Sequence, residues 1–125
     1  MANILLIDDD AGVRRFVSAV LQRAGHSIIE AADGTKGLRA LRGAAVDLVI
    51  TDLIMPDKEG FETIHELRQA GSKVRILAIS GGFPGNSLNI LDMARRIGAD
   101  EALGKPFTPP ELMAAVDRLL AKPAA

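Results

Sequence analysis

The chain carries five short apolar runs: Ile4 to Ile7, Ser27 to Ile29, Leu48 to Thr51, Ile76 to Ile79 and the weaker Glu101 to Leu103. The stronger ones are continuous; they do not alternate with polar residues. A strand that is apolar on both sides has to be covered on both sides, which is the condition of a parallel sheet. Segments of helical period lie between the runs. Strand then helix, five times over, predicts an α/β fold with a doubly wound parallel sheet. Right-handed crossovers then send every strand's carboxyl end to one edge, where function is expected.

The helical segments have readable ends. In the first, Val13, Phe16, Val17, Val20, Leu21 and Ala24 recur at steps of three and four, with Asp10 as N-cap and Gly25 as stop. The second, near Thr35 to Arg42, carries Leu38 and Leu41 behind the turn pair Asp33-Gly34. The third sets Phe61, Ile64 and Leu67 on one stripe and stops at Gly71; the fourth has Ile90, Ala94 and Ile97 and stops at Gly98. Thr108-Pro109-Pro110-Glu111 opens the last as a capping box with prolines in the first turn, followed by Leu112, Ala115, Val116 and Leu119.

Length and composition remove whole classes of function. A chain of 125 residues is the size of one domain, here a core from Ile4 to Leu120 with a tail at 121–125. Without cysteine there is no disulfide framework, thiolate zinc site or cysteine nucleophile, and a reducing cytoplasm fits best. No apolar run has the length of a spanning helix, and no basic segment follows Met1, so the reading is a soluble, unexported protein with no membrane partner. A net charge of −1 without basic blocks speaks against direct nucleic-acid binding. Four Phe with no Tyr or Trp leave no platform for a flavin or a base.

Four of the five runs end in polar chemistry: Asp8 and Asp9 after the first, Asp52 after the third, Ser80 after the fourth and Lys105 after the fifth. The second ends in Glu30-Ala31-Ala32, an ordinary exit. Taken singly, each residue has a plainer role as a cap, a turn or a surface lysine. Jointly they do not. Setting the first strand beside the third brings Asp8, Asp9 and Asp52 to one rim, where mutual repulsion calls for a raised pKa or a hard divalent cation with oxygen ligands. Mg²⁺ fits, since it takes one or two carboxylates and shares its remaining positions with water and phosphate. Lys105 and Ser80 would hold phosphoryl oxygens, and Asp52 is the candidate nucleophile for an acyl phosphate.

At these residues the sequence resembles the receiver domain of bacterial two-component response regulators. The motifs are Leu6-Ile7-Asp8-Asp9-Asp10, Asp52-Leu53-Ile54-Met55-Pro56-Asp57 with Gly60, Ile79-Ser80-Gly81, and Gly104-Lys105-Pro106-Phe107, and the match runs from Ile4 to Leu120. The resemblance implies a flavodoxin-like strand order of 2-1-3-4-5 with five helices. It implies that Asp52 accepts a phosphoryl group from a histidine kinase or histidine phosphotransfer protein. It also implies that Asp8, Asp9, Asp52 and the Ile54 carbonyl hold Mg²⁺, that Ser80 and Lys105 take phosphoryl oxygens, and that the Lys105-Pro106 bond is cis. Such a domain is a signalling switch, not an enzyme beyond self-phosphorylation and slow autophosphatase activity. Its face around Ser80, the fourth helix, fifth strand and fifth helix would control a downstream protein.

Two departures and two rivals belong beside the resemblance. The position three before the lysine, where the family usually has Tyr or Phe, is Ala102, so transmission is expected to run through the loop Gly81-Gly82-Phe83-Pro84-Gly85. Ile54 and Gly82, expected to border the phosphoryl group, offer no side chain to orient an attacking water, which predicts slow self-hydrolysis. The rival enzyme is a haloacid-dehalogenase-like phosphatase with Asp8 as nucleophile. It is disfavoured by length and by Gly12 where a Thr or Val is usual. A flavodoxin is disfavoured by the repulsion of Asp8 to Asp10 for phosphate. Only Lys122 to Ala125 follow the last helix, giving the expectation of a stand-alone receiver, monomeric or weakly dimeric, although the Pro-Ala tail equally fits the start of a linker. His26 and His65 read as surface residues without a role.

Overall fold

The structure, a computed structural model, describes residues 2–53, 60–80 and 87–121, with the backbone alone for 87–91. Strands and helices alternate throughout: β1 Asn3–Ile7, α1 Ala11–Arg23, β2 Ser27–Ala31, α2 Gly34–Gly43, β3 Leu48–Asp52, α3 Gly60–Gln69, β4 Arg75–Ser80, α4 Ser87–Ile97, β5 Glu101–Gly104 and α5 Pro109–Ala121. The strands form one sheet in the order β2-β1-β3-β4-β5, and each pairing is parallel. This is the flavodoxin-like order. Strand boundaries extend the apolar runs by one or two residues, because the ladder continues into Glu30-Ala31, Asp52, Ser80 and Gly104 after hydrophobicity ends.

Period two within each strand sorts the core into two layers. Ile4, Leu6, Leu48, Ile50, Leu77 and Ile79 pack toward α1 and α5, against Val17, Leu21, Leu112, Val116 and Leu119. Leu5, Ile7, Val49, Ile76 and Ala78 pack the other way, with Ile64 and Leu67 of α3 and Ala94 of α4. Phe16 departs from the expected stripe. It sits about 100° around the helix from Val17, at the stripe's border, and is 41% exposed with its ring 6.1 Å from that of Phe107. β5 is half-buried along its whole length, as an edge strand paired only with β4 is bound to be.

Helix ends follow the expected chemistry. Asp10 caps α1 by accepting from the Gly12 and Val13 amides, and Asp33 caps α2 by accepting from that of Lys36. In the Thr108–Glu111 box, the Thr108 amide donates to Glu111 Oε1 at 3.0 Å and the Glu111 amide to Thr108 Oγ1 at 3.3 Å. The three glycine stops, Gly25, Gly71 and Gly98, have φ of 95°, 81° and 127°, the left-handed region that a side chain disfavours. His26 has a role after all: its half-buried Nδ1 accepts the Ala2 amide at 3.1 Å.

The amino-terminal rim of the sheet is tied by one arginine. Arg68, in the last turn of α3, donates to the carbonyls of Gly98, Ser72 and Val74 at 2.9, 3.0 and 2.8 Å, and to Asp100 Oδ2 at 3.1 Å. Asp100 Oδ2 also accepts the Ile76 amide at 2.8 Å. One guanidinium therefore joins the end of α3, the start of β4 and the α4–β5 turn. Arg68→Ala leaves several of these acceptors unpaired, and a loss of about 1–3 kcal/mol in unfolding free energy is expected, measurable as a lower midpoint in urea at unchanged m-value.

Candidate functional site

Register creates the site. Ile7 pairs with Thr51, so the next residues, Asp8 and Asp52, reach the carboxyl rim side by side. Asp8 continues the side of Ile4 and Leu6, Asp52 that of Leu48 and Ile50, and Lys105 that of Leu103. These three side chains therefore converge on the α1/α5 face. Lys105 Nζ lies 3.2 Å from Asp8 Oδ2 and 3.5 Å from Asp52 Oδ2.

The carboxylates differ in exposure. Asp8 is fully buried and Asp52 is 7% exposed, whereas Asp9 is open to solvent. A buried carboxylate requires compensation, which Asp8 obtains from the Lys105 ammonium and from the Asp10 amide on Oδ1 at 2.9 Å. One oxygen from each of Asp8, Asp9 and Asp52 lies within 4.8 Å of the others. Asp8 and Asp52 both meet the Lys105 ammonium, and Asp9 sets a third carboxylate beside them, so the rim presents a cluster of hard oxygen donors. Such a group can hold a metal ion through hard oxygen donors.

Ser80, the last residue of β4, is buried at the same rim. It pairs with Gly104, one step beyond the Asp52–Ile79 pair. It continues the side of Ile76 and Ala78, so it approaches the rim from the α3/α4 face. The Lys105 amide donates to the Ser80 carbonyl at 2.6 Å, and the Lys105–Pro106 bond is cis. Ile54 and the loop from Gly81 to Gly85 lie outside the described residues.

Two further residues shape this rim. Gly60 opens α3 directly over the end of β3, where an added Cβ would stand 1.8 Å from the Asp52 carbonyl oxygen. Arg14, which its place on a helix surface does not single out in sequence, donates from Nη1 to the Asp8 carbonyl at 2.5 Å and pairs through Nε with Glu30 at 3.3 Å. Glu30 is therefore more than an exit from β2.

A family model described as response regulator receiver domain matches residues 4–117. The chain belongs to the response regulator receiver domains. It is 35% identical over 122 residues to "Probable transcriptional regulator ycf27" of Porphyridium aerugineum, covering 94% of this chain and 47% of that protein. It is also 35% identical over 120 residues to the transcriptional regulatory protein CpxR of Klebsiella pneumoniae, covering 96% and 50%. The chain thus spans about half the length of these relatives. Among solved structures, the receiver domain of NtrX from Brucella abortus superposes with a TM-score of 0.89 at 28% identity, covering 96% of this chain and 99% of that one. Receiver domains are signalling switches governed by phosphorylation, and none of these likenesses supports the phosphatase reading with Asp8 as nucleophile. Among the described residues, no helix is long and apolar enough to cross a membrane.

Gly60 gives a check on how closely α3 is set against this receiver's acidic rim. Gly60→Ala forces the backbone of α3 or of Asp52 to move, and a loss of at least about 1–3 kcal/mol is expected from overpacking. Urea titration followed by far-UV circular dichroism measures it.

Proposed function

We propose that this receiver takes a phosphoryl group on Asp52 and converts it into a change of the face presented to a downstream protein. The observation that carries the reading is the nearly buried Asp52 carboxylate, which shares the Lys105 ammonium with Asp8 and has an oxygen within 4.8 Å of one from each of Asp8 and Asp9. An Asp52 oxygen attacks phosphorus, the bond from phosphorus to the donor's histidine nitrogen breaks, and the released imidazole takes its proton from solvent. The donor is a histidine kinase or a histidine phosphotransfer protein. A small acyl phosphate serves in its place for self-phosphorylation.

Asp8, Asp9 and Asp52, with the Ile54 carbonyl, would hold Mg²⁺. When bound, Mg²⁺ neutralises charge on the phosphoryl oxygens. Lys105 is displaced from its two carboxylates toward a phosphoryl oxygen, and the Ser80 hydroxyl donates to another. Ser80 approaches from the α3/α4 side, so its capture draws on the layer that holds α4 and β5, and the surface of α4, β5 and α5 is the one partners read. The partner is a protein, not nucleic acid or membrane, the working state is a monomer or weak dimer, and the compartment is the cytoplasm. Relatives described as transcriptional regulators are longer, and the proposal covers the part they share with this chain.

Acetyl phosphate with Mg²⁺ is expected to give a phosphoryl adduct by intact mass in the wild type and in Asp8→Asn at reduced yield, and none in Asp52→Asn. An adduct that survives in Asp52→Asn would overturn the assignment of the nucleophile. Removal of the donor in Mg²⁺ buffer tests lifetime: with Ile54 and Gly82 unable to direct water, the adduct is expected to persist for minutes or longer, and loss within seconds contradicts it.

A further inference from the structure

We infer that Arg14 is a positioning residue for the acidic pair Asp8 and Asp9, an assignment that rests on the reading of this rim as a divalent-cation site. Arg14 lies in the first turns of α1, its amide bonded to the Asp10 carbonyl at 3.0 Å. Its side chain runs back to the sheet. There Nη1 meets the Asp8 carbonyl at 2.5 Å, and Nε meets Glu30 Oε1 at 3.3 Å. On the other side of the same residue, the Asp8 amide donates to the Ala31 carbonyl at 3.1 Å.

The chain at Asp8 is thus gripped at both ends, by β2 through its N–H and by Arg14 through its C=O. That carbonyl belongs to the planar peptide joining Asp8 to Asp9. With the Asp8 amide also held, fixing that plane sets the direction in which Asp8 leaves the backbone and the position of the Asp9 Cα. Asp9 is exposed and has little packing to orient it, so the peptide is the main constraint on where its carboxylate stands. Glu30, paired on the far side of the guanidinium, holds it at the carbonyl and away from the three carboxylates, with which it would otherwise compete as a counter-ion.

A charge role and a positioning role predict opposite signs. By Coulomb's law alone, removing a cation beside a cation site tightens metal binding. Removing the group that orients two ligands weakens it, and outer partners of metal ligands typically matter by about 10–100-fold.

The experiment is Mn²⁺ titration of the full chain followed by electron paramagnetic resonance of the free ion, which needs no phosphoryl transfer. Wild type, Arg14→Ala, Arg14→Lys and Asp9→Asn are compared, with Asp9→Asn marking the rim as the binding site by its loss of affinity. Arg14→Ala is expected to bind about 10-fold more weakly, and Arg14→Lys, which keeps the charge but loses the two-pronged donor, less weakly than that. Equal or tighter binding by Arg14→Ala overturns the assignment while leaving the metal reading intact. If Arg14→Ala does not fold, Arg14→Lys decides: weaker binding than wild type supports the assignment, and unchanged binding overturns it. Wild-type protein that takes up no Mn²⁺, or Asp9→Asn that binds like wild type, overturns the metal reading and this assignment together.

Discussion

Lys105 reaches across from the end of β5 to Asp8 and Asp52, at the ends of β1 and β3, and its ammonium offsets the charge of two carboxylates that stand together with little solvent. Its position depends on the order of the strands, which puts β1 beside β3 and leaves β4 and β5 beyond. It depends equally on period two, which turns all three residues to one side of the sheet. A shift of one residue in the pairing of β1 with β3 would carry Asp8 away from Asp52 and bring a core isoleucine to the rim. The hydrophobic layers on both faces prevent that shift, so the packing of the aliphatic core and the placement of the charges are one constraint.

Much of this was legible without coordinates, because four of the five apolar runs give way to a polar residue at or just beyond the end of the strand. The alternation of elements, the Asp10 and Thr108–Glu111 caps and the glycine stops are local chemistry, and they emerge as read, while Asp33, read only as part of a turn, also caps α2. The cluster of Asp8, Asp9, Asp52 and Lys105 needed only strand order in addition. What the sequence hid is whatever depends on reach between distant segments. Arg14 and Glu30 lie sixteen residues apart and look like solvated charges until a long side chain is seen crossing from α1 to β2. His26 and Arg68 are similar cases, each satisfying backbone groups of other segments. Phe16 misled in the opposite way, since a helical stripe has a border, and residues there meet loops instead of the sheet.

The layer below Ser80 has little bulk. Ala78 of β4 is registered against Ala102 of β5, and Ala94 of α4 is buried in the same layer. An aromatic ring at position 102 would give α4 a large object to close over; a methyl group does not.

The polar knot around Arg68 and Asp100 sits at the opposite rim from the carboxylates, separated from them by the length of β4, about 15–20 Å of strand. Groups that far apart without shared partners act nearly independently. Evolution and protein engineering can consequently retune the chemistry at one end of the sheet without loosening the scaffold, and can harden the scaffold at the other end without disturbing the chemistry.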